Sequence, residues 1–148
     1  MAIRKTRNPL TILLVLAALV VVAAPAGYFV LVYGCGERED RLAAALAEDP
    51  ALNAAPDGAR KGESYRECDD DDLFVSVGAE FSHEGSSKDP LARHREAARA
   101  GGWRPSGGDP DCYTKRLDGT TAYLSVDAPS AAKVELSITA DRQGSEWC

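Results

Sequence analysis

The chain has 148 residues with 23 acidic and 17 basic side chains, a net charge of −6. Arg4, Lys5 and Arg7 precede a long uncharged run and every acidic residue follows it, so the part beyond the run carries 14 basic against 23 acidic groups, a net −9. That sign repels phosphate backbones and anionic lipid surfaces, which argues against nucleic acid or a peripheral lipid-binding surface as the main partner.

From Leu10 to Val32 there are 23 consecutive residues without a formal charge, rich in Leu, Val and Ala. As a helix they would rise about 35 Å, enough to cross roughly 30 Å of hydrocarbon. Basic residues lie on one side of the run, and Glu37, Glu39 and Asp40 on the other. The positive-inside rule then puts the N-terminus in the cytoplasm. The expected organisation is a cytoplasmic segment 1–9, a transmembrane helix 10–33 and an extracytoplasmic domain 34–148. Cleavage after Ala24-Pro25-Ala26 is disfavoured, because apolar residues continue through Val32 and the proline obstructs a protease. A lipid on Cys35 is a further alternative, since Val32-Tyr33-Gly34-Cys35 loosely matches the lipoprotein signal pattern but departs from it at Tyr33.

Beyond the run, residues 37–48 read as a helix with Leu42, Ala45 and Leu46 on one face. Asp49-Pro50 either ends it or caps a second short turn. Residues 56–64 lack periodicity and read as a loop. Leu73, Val75, Val77, Ala79 and Phe81 alternate with Phe74, Ser76, Gly78, Glu80 and Ser82, the period of a half-buried strand. Asp89-Pro90 starts a helix that Gly101-Gly102 stops, its inner face formed by Leu91, His94 and Ala98, with Trp103 folding back over it. After a loop at 104–111, strands at 112–117 and 120–126 form a hairpin about Asp118-Gly119, and 132–140 supplies a last strand. The expected fold is α+β: an N-terminal transmembrane helix, then a two-layer sandwich with two helices on a mainly antiparallel sheet of about four strands, in the order α-β-α-β-β-β.

Cys35, Cys68, Cys112 and Cys148 all fall on the expected outer side, where disulfides persist. Four cysteines allow three connectivities. The preferred one joins Cys68 to Cys112, on the expectation that the strands they begin run parallel through the intervening helix, and leaves Cys35 with Cys148. The wide spacings support neither a C-x-x-C redox centre nor a zinc knuckle. Asp69-Asp70-Asp71-Asp72 offers the carboxylates a hard cation needs, but in an EF-hand register position five is Leu73 and the turn position six is Phe74 in place of Gly. A solvated turn is therefore favoured over a site completed by Glu67, Asp109 or Asp111. His83 and His94 have no second ligand at metal spacing, and G-x-S-x-G and H-E-x-x-H are absent. Trp147 is expected to pack at a sheet edge.

The hydrophobic run, the leading helix, C-D-D-D-D before a strand, Gly102-Trp103, Cys112-Tyr113 and T-A-Y-L-S-V at 121–126 together resemble small uncharacterised bacterial lipoproteins and membrane-anchored envelope proteins. The resemblance implies an envelope location and a disulfide between Cys68 and Cys112, and it carries no assigned activity; no cofactor is expected. The element order also resembles BON domains in layout alone. The resulting expectation is a non-enzymatic binding module of the cell envelope, in contact with the bilayer through its N-terminal helix and with an envelope protein or polymer as partner. The alternative is a calcium-responsive or catalytic domain built on Asp69 to Asp72.

Overall fold

A computed structural model describes Leu13, Ala17, Val20 and Val21, residues 34–83 and residues 89–148. The chain divides into two units, Met1–Gly34 and Cys35–Cys148. In the first, Leu13, Ala17, Val20 and Val21 are helical and exposed, and Gly34 is a half-buried bend. The rest of the expected transmembrane helix at 10–33 lies outside the described residues, among which no helix is long and apolar enough to cross a membrane.

In the second unit, the helix α1 (Glu37–Ala47) buries Leu42, Ala43 and Leu46. At its start Glu39 turns back so that its carboxylate accepts from the backbone N–H of Gly36 at 3.1 Å. A one-turn helix α2 (Pro50–Asn53) follows, and the Asp49 carboxylate accepts from the N–H of Ala51 to cap it. Strands β1 (Ala59–Cys68) and β2 (Val75–His83) form an antiparallel pair. Helix α3 (Pro90–Ala100) has Asp89 as its cap and buries His94 and Ala98. Strands β3 (Arg104–Pro105), β4 (Cys112–Leu117), β5 (Thr120–Ser130) and β6 (Lys133–Ala140) complete the domain. Asp118 and Gly119 both take positive φ, 46° and 81°, as the tight β4–β5 hairpin requires.

All neighbouring strands are antiparallel, in the order β1-β2-β6-β5-β4-β3. Side chains that lie directly opposite one another share a face. The core face is therefore a set of rows: Val75, Ala140 and Ala122; Val77, Ile138 and Leu124; Ala79, Leu136 and Val126; and Phe81 with Val134. Each of these side chains is buried. The helices contact the strands on this face, and Trp103 closes the layer with only 2% exposure.

The expected fold needs correction. The sheet has six strands rather than about four, three helices accompany it rather than two, and no transmembrane helix is among the described elements. The main omission is β1, which occupies most of the stretch read as a loop. It is an edge strand whose residues are nearly all exposed, so it has no buried face to impose a period of two. Its place comes from backbone pairing with β2, which side-chain pattern does not record.

The disulfides also differ from the expected pairing. Cys35 is bonded to Cys68 and Cys112 to Cys148, with Cα separations of 6.2 and 5.9 Å. Cys68 and Cys112 do not sit on neighbouring parallel strands. Cys68 ends the edge strand β1, and three strands intervene before Cys112 on β4. Four strand steps span roughly 19 Å, far beyond the approximately 7 Å limit for a disulfide. Register also places Cys68 on the core face beside Val75, and Cys112 on the opposite face beside Ser125.

Candidate functional site

The helices cover one face of the sheet, and register assigns the residues of the other. One row crosses all six strands: Glu67, Ser76, Thr139, Tyr123, Thr114 and Arg104. The next contains Tyr65, Gly78, Ser137, Ser125 and Cys112. Hydroxyl groups and tyrosine rings dominate the middle, and most of these side chains are only half-buried. The Ser76 and Thr139 hydroxyls lie 3.3 Å apart.

Tyr65 shapes this surface by lying across β2. A Cβ at Gly78 would fall 2.3 Å from the tyrosine ring, so only glycine lets the ring settle there. The C-terminus returns to the same face. Cys148 is bonded to Cys112, and the Trp147 ring lies 4.6 Å from that of Phe74. Trp147 thus packs, but against the residue that leads into the inner strand β2 rather than at an edge strand, and its indole N–H is buried without a partner among the described residues.

Charge is segregated along the face. At one end Glu80, Glu135 and Asp127 are directly opposite one another on three strands, an arrangement of like charges that is unfavourable by itself. Lys133 offsets it, its ammonium donating to both Glu80 oxygens at 2.9 and 2.8 Å. The hydrogen bond to Glu80, and then the attraction of that carboxylate, raise the lysine above its ordinary pKa. At the opposite corner Arg104, Thr114, Arg116 and Thr121 form a basic patch. Lys115 points from the same strand to the core side, where it meets Asp49 at 2.8 Å and the carbonyl of Gly101 at 2.9 Å.

The structure does not gather the other candidate residues into a catalytic or metal centre. Asp69 to Asp72 form the β1–β2 turn, with the Asp69 carboxylate accepting from the N–H groups of Asp71 and Asp72. Asp70 accepts from the N–H of Cys35 at 2.8 Å. Asp109 and Asp111 lie just before β4, on the far side of the sheet, and Asp111 is engaged by Arg95 at 2.6 and 2.9 Å. Among the described residues no three His, Cys, Asp or Glu side chains converge as metal ligands. Ser130 and Lys133 have S-x-x-K spacing at the β5–β6 turn, but the Ser130 hydroxyl accepts from the N–H of Ala132 and Lys133 is held by Glu80.

His83 and His94 are brought together, a pairing that sequence reasoning missed. Their Nε2 atoms are 3.1 Å apart in a buried contact. Burial, and then the neighbouring His83, pull His94 down to about 4. Burial, and then the charge of Arg93, also lower His83. The available signal was His94 on the inner helix face, but only the assembled sheet shows that His83 ends the buried strand β2, opposite Ala59 of β1. No family model, curated protein or solved structure matches this chain.

Proposed function

We propose that this protein is a non-enzymatic envelope module, tethered to the membrane through its hydrophobic run with the domain outside, which binds an envelope polymer on the uncovered sheet face. The observation that carries this reading is the cross-strand row of hydroxyl and tyrosine side chains on the face that the helices leave bare. Tyrosine offers a flat apolar ring with a polar tip, and serine and threonine both donate and accept hydrogen bonds, a combination suited to a hydroxyl-rich chain. The two disulfides support an oxidising location. The tether and orientation rest on the sequence: 23 uncharged residues between a basic and an acidic flank.

The test is co-sedimentation of the full-length, detergent-solubilised protein with insoluble envelope polysaccharide. Retention is expected, with loss in Tyr65→Ala and Tyr123→Ala and persistence in Arg38→Ala on α1. Equal retention by both tyrosine variants, or none by the parent chain, overturns the reading. The location is tested separately with a C-terminal tag, expected to be accessible to protease added outside intact cells.

A further inference from the structure

We infer that the basic corner of the open face, formed by Arg104, Thr114, Arg116 and Thr121, is a subsite for a single phosphoryl group on the bound polymer, an inference that rests on the binding face proposed above. The sheet register makes the four side chains neighbours. Arg104 lies opposite Thr114, Arg116 lies opposite Thr121, and Thr114 and Arg116 are two residues apart on β4. All four therefore project from the same side of the sheet.

They border a depression of about 390 Å³ that is also lined by Gly102 and Lys115. No carboxylate lines it, although the domain as a whole is strongly acidic. Arg104 and Arg116 form no ion pair among the described residues, and Arg116 spends one N–H on the carbonyl of Gly119 at 3.0 Å. The remaining guanidinium donors and the two hydroxyls outnumber the acceptor oxygens of a carboxylate and suit a phosphate. A second depression, lined by Arg38, Arg41 and Arg142, is also basic, but Asp118 lies within it and takes a 3.3 Å contact from Arg142.

The net charge of −9 beyond the hydrophobic run bears on ligand size. A long polyanion is repelled over the Debye length, whereas a single phosphoryl group at this corner gains two arginines at short range. The site therefore favours a polymer with isolated phosphates over a continuous phosphate chain or an anionic membrane.

The experiment is titration of the full-length protein in neutral detergent with inorganic phosphate and with glycerol phosphate, followed by amide NMR at constant ionic strength. Saturable shifts are expected at Arg104, Thr114, Arg116 and Thr121, weakened about tenfold in Arg104→Ala and in Arg116→Ala and unchanged in Arg38→Ala. Thr121→Val, which leaves both arginines in place, should weaken binding less. Absence of saturation, equal affinity in both arginine variants, or binding only to vesicles of anionic phospholipid overturns the subsite. Polymer retention that depends on Tyr123 but not on Arg104 or Arg116 also overturns it while leaving the binding face standing. Phosphate binding at this corner without polymer retention supports the subsite and removes the polymer reading.

Discussion

The Nε2 atoms of His83 and His94 lie 3.1 Å apart, joining the last residue of β2 to the middle of α3 in a pair with only 6% and 1% exposure. The rings meet edge to face, and Phe81 lies 4.8 Å from His94 between ring centres. One neutral ring donates to the other, and an added proton puts a charge into a desolvated site.

This pair should make the fold sensitive to mild acid. The folded-state pKa of His94 is about 4 against 6.5 for the free side chain, so between those values the unfolded chain binds more protons. Stability is then complete above 6.5 and is lost as pH falls towards 4, by at most about 3 kcal/mol. Urea denaturation at pH 7 and at pH 4.5 measures the loss, and His94→Gln should flatten the profile. Asp141 acts lower: burial raises it, but hydrogen bonds from Ser145, Gly144 and Gln143 prevail and hold it below 3.8, so its contribution disappears only beneath that value.

Asp49 organises the second polar contact inside the domain. Its carboxylate caps α2 and accepts from the Trp103 indole N–H at 3.1 Å and from the Lys115 ammonium at 2.8 Å. Asp49→Ala removes the cap and leaves Lys115 beside the core without its counter-charge, a loss of about 3 to 5 kcal/mol. Asp49→Asn keeps an oxygen for the cap and the indole and should cost less. Chemical denaturation of both variants separates the charge from the hydrogen bonds.

The Tyr65 ring occupies the space that a side chain at Gly78 would need. Gly78→Ala should therefore destabilise by about 1 to 3 kcal/mol through overpacking. Adding Tyr65→Ala should recover part of that loss, because the ring is what the methyl group meets. A double-mutant cycle by thermal unfolding measures the coupling, and strictly additive losses would contradict the contact.

Peptide mapping without reduction should yield Cys35 linked to Cys68 and Cys112 linked to Cys148. The sequence separation of the second bond is 36 residues, for which loop-closure entropy gives up to roughly 4 kcal/mol. Replacing Cys112 and Cys148 together by serine should lower stability by no more than that and release Trp147 from Phe74, seen as a change in near-ultraviolet dichroism.

Several elements were legible in the sequence because their signals are local. Asp89-Pro90 and Gly101-Gly102 bound α3 through capping chemistry within one turn, and Asp118-Gly119 supplies the positive φ angles of its hairpin. The alternation in β2, β5 and β6 survived because each presents one face to the helices. The open-face row was legible only in fragments: the alternating polar positions of β2 and β6 mark Ser76 and Thr139, but nothing local says that Tyr123, Thr114 and Arg104 continue their line.

By itself the sequence determined the charge asymmetry about the hydrophobic run, the inner face of α3, Leu42 and Leu46 on that of α1 (though not Ala45, which is exposed while Ala43 is buried), the alternating strands and the tight hairpin. Each follows from side-chain burial or backbone preference over a few residues. Only the tertiary structure decided the strand order, the edge strand β1, the disulfide partners and the meeting of His83 with His94. Those relationships join residues distant in sequence through backbone hydrogen bonds that almost any side chain permits, so their partners emerge only when the whole sheet is assembled.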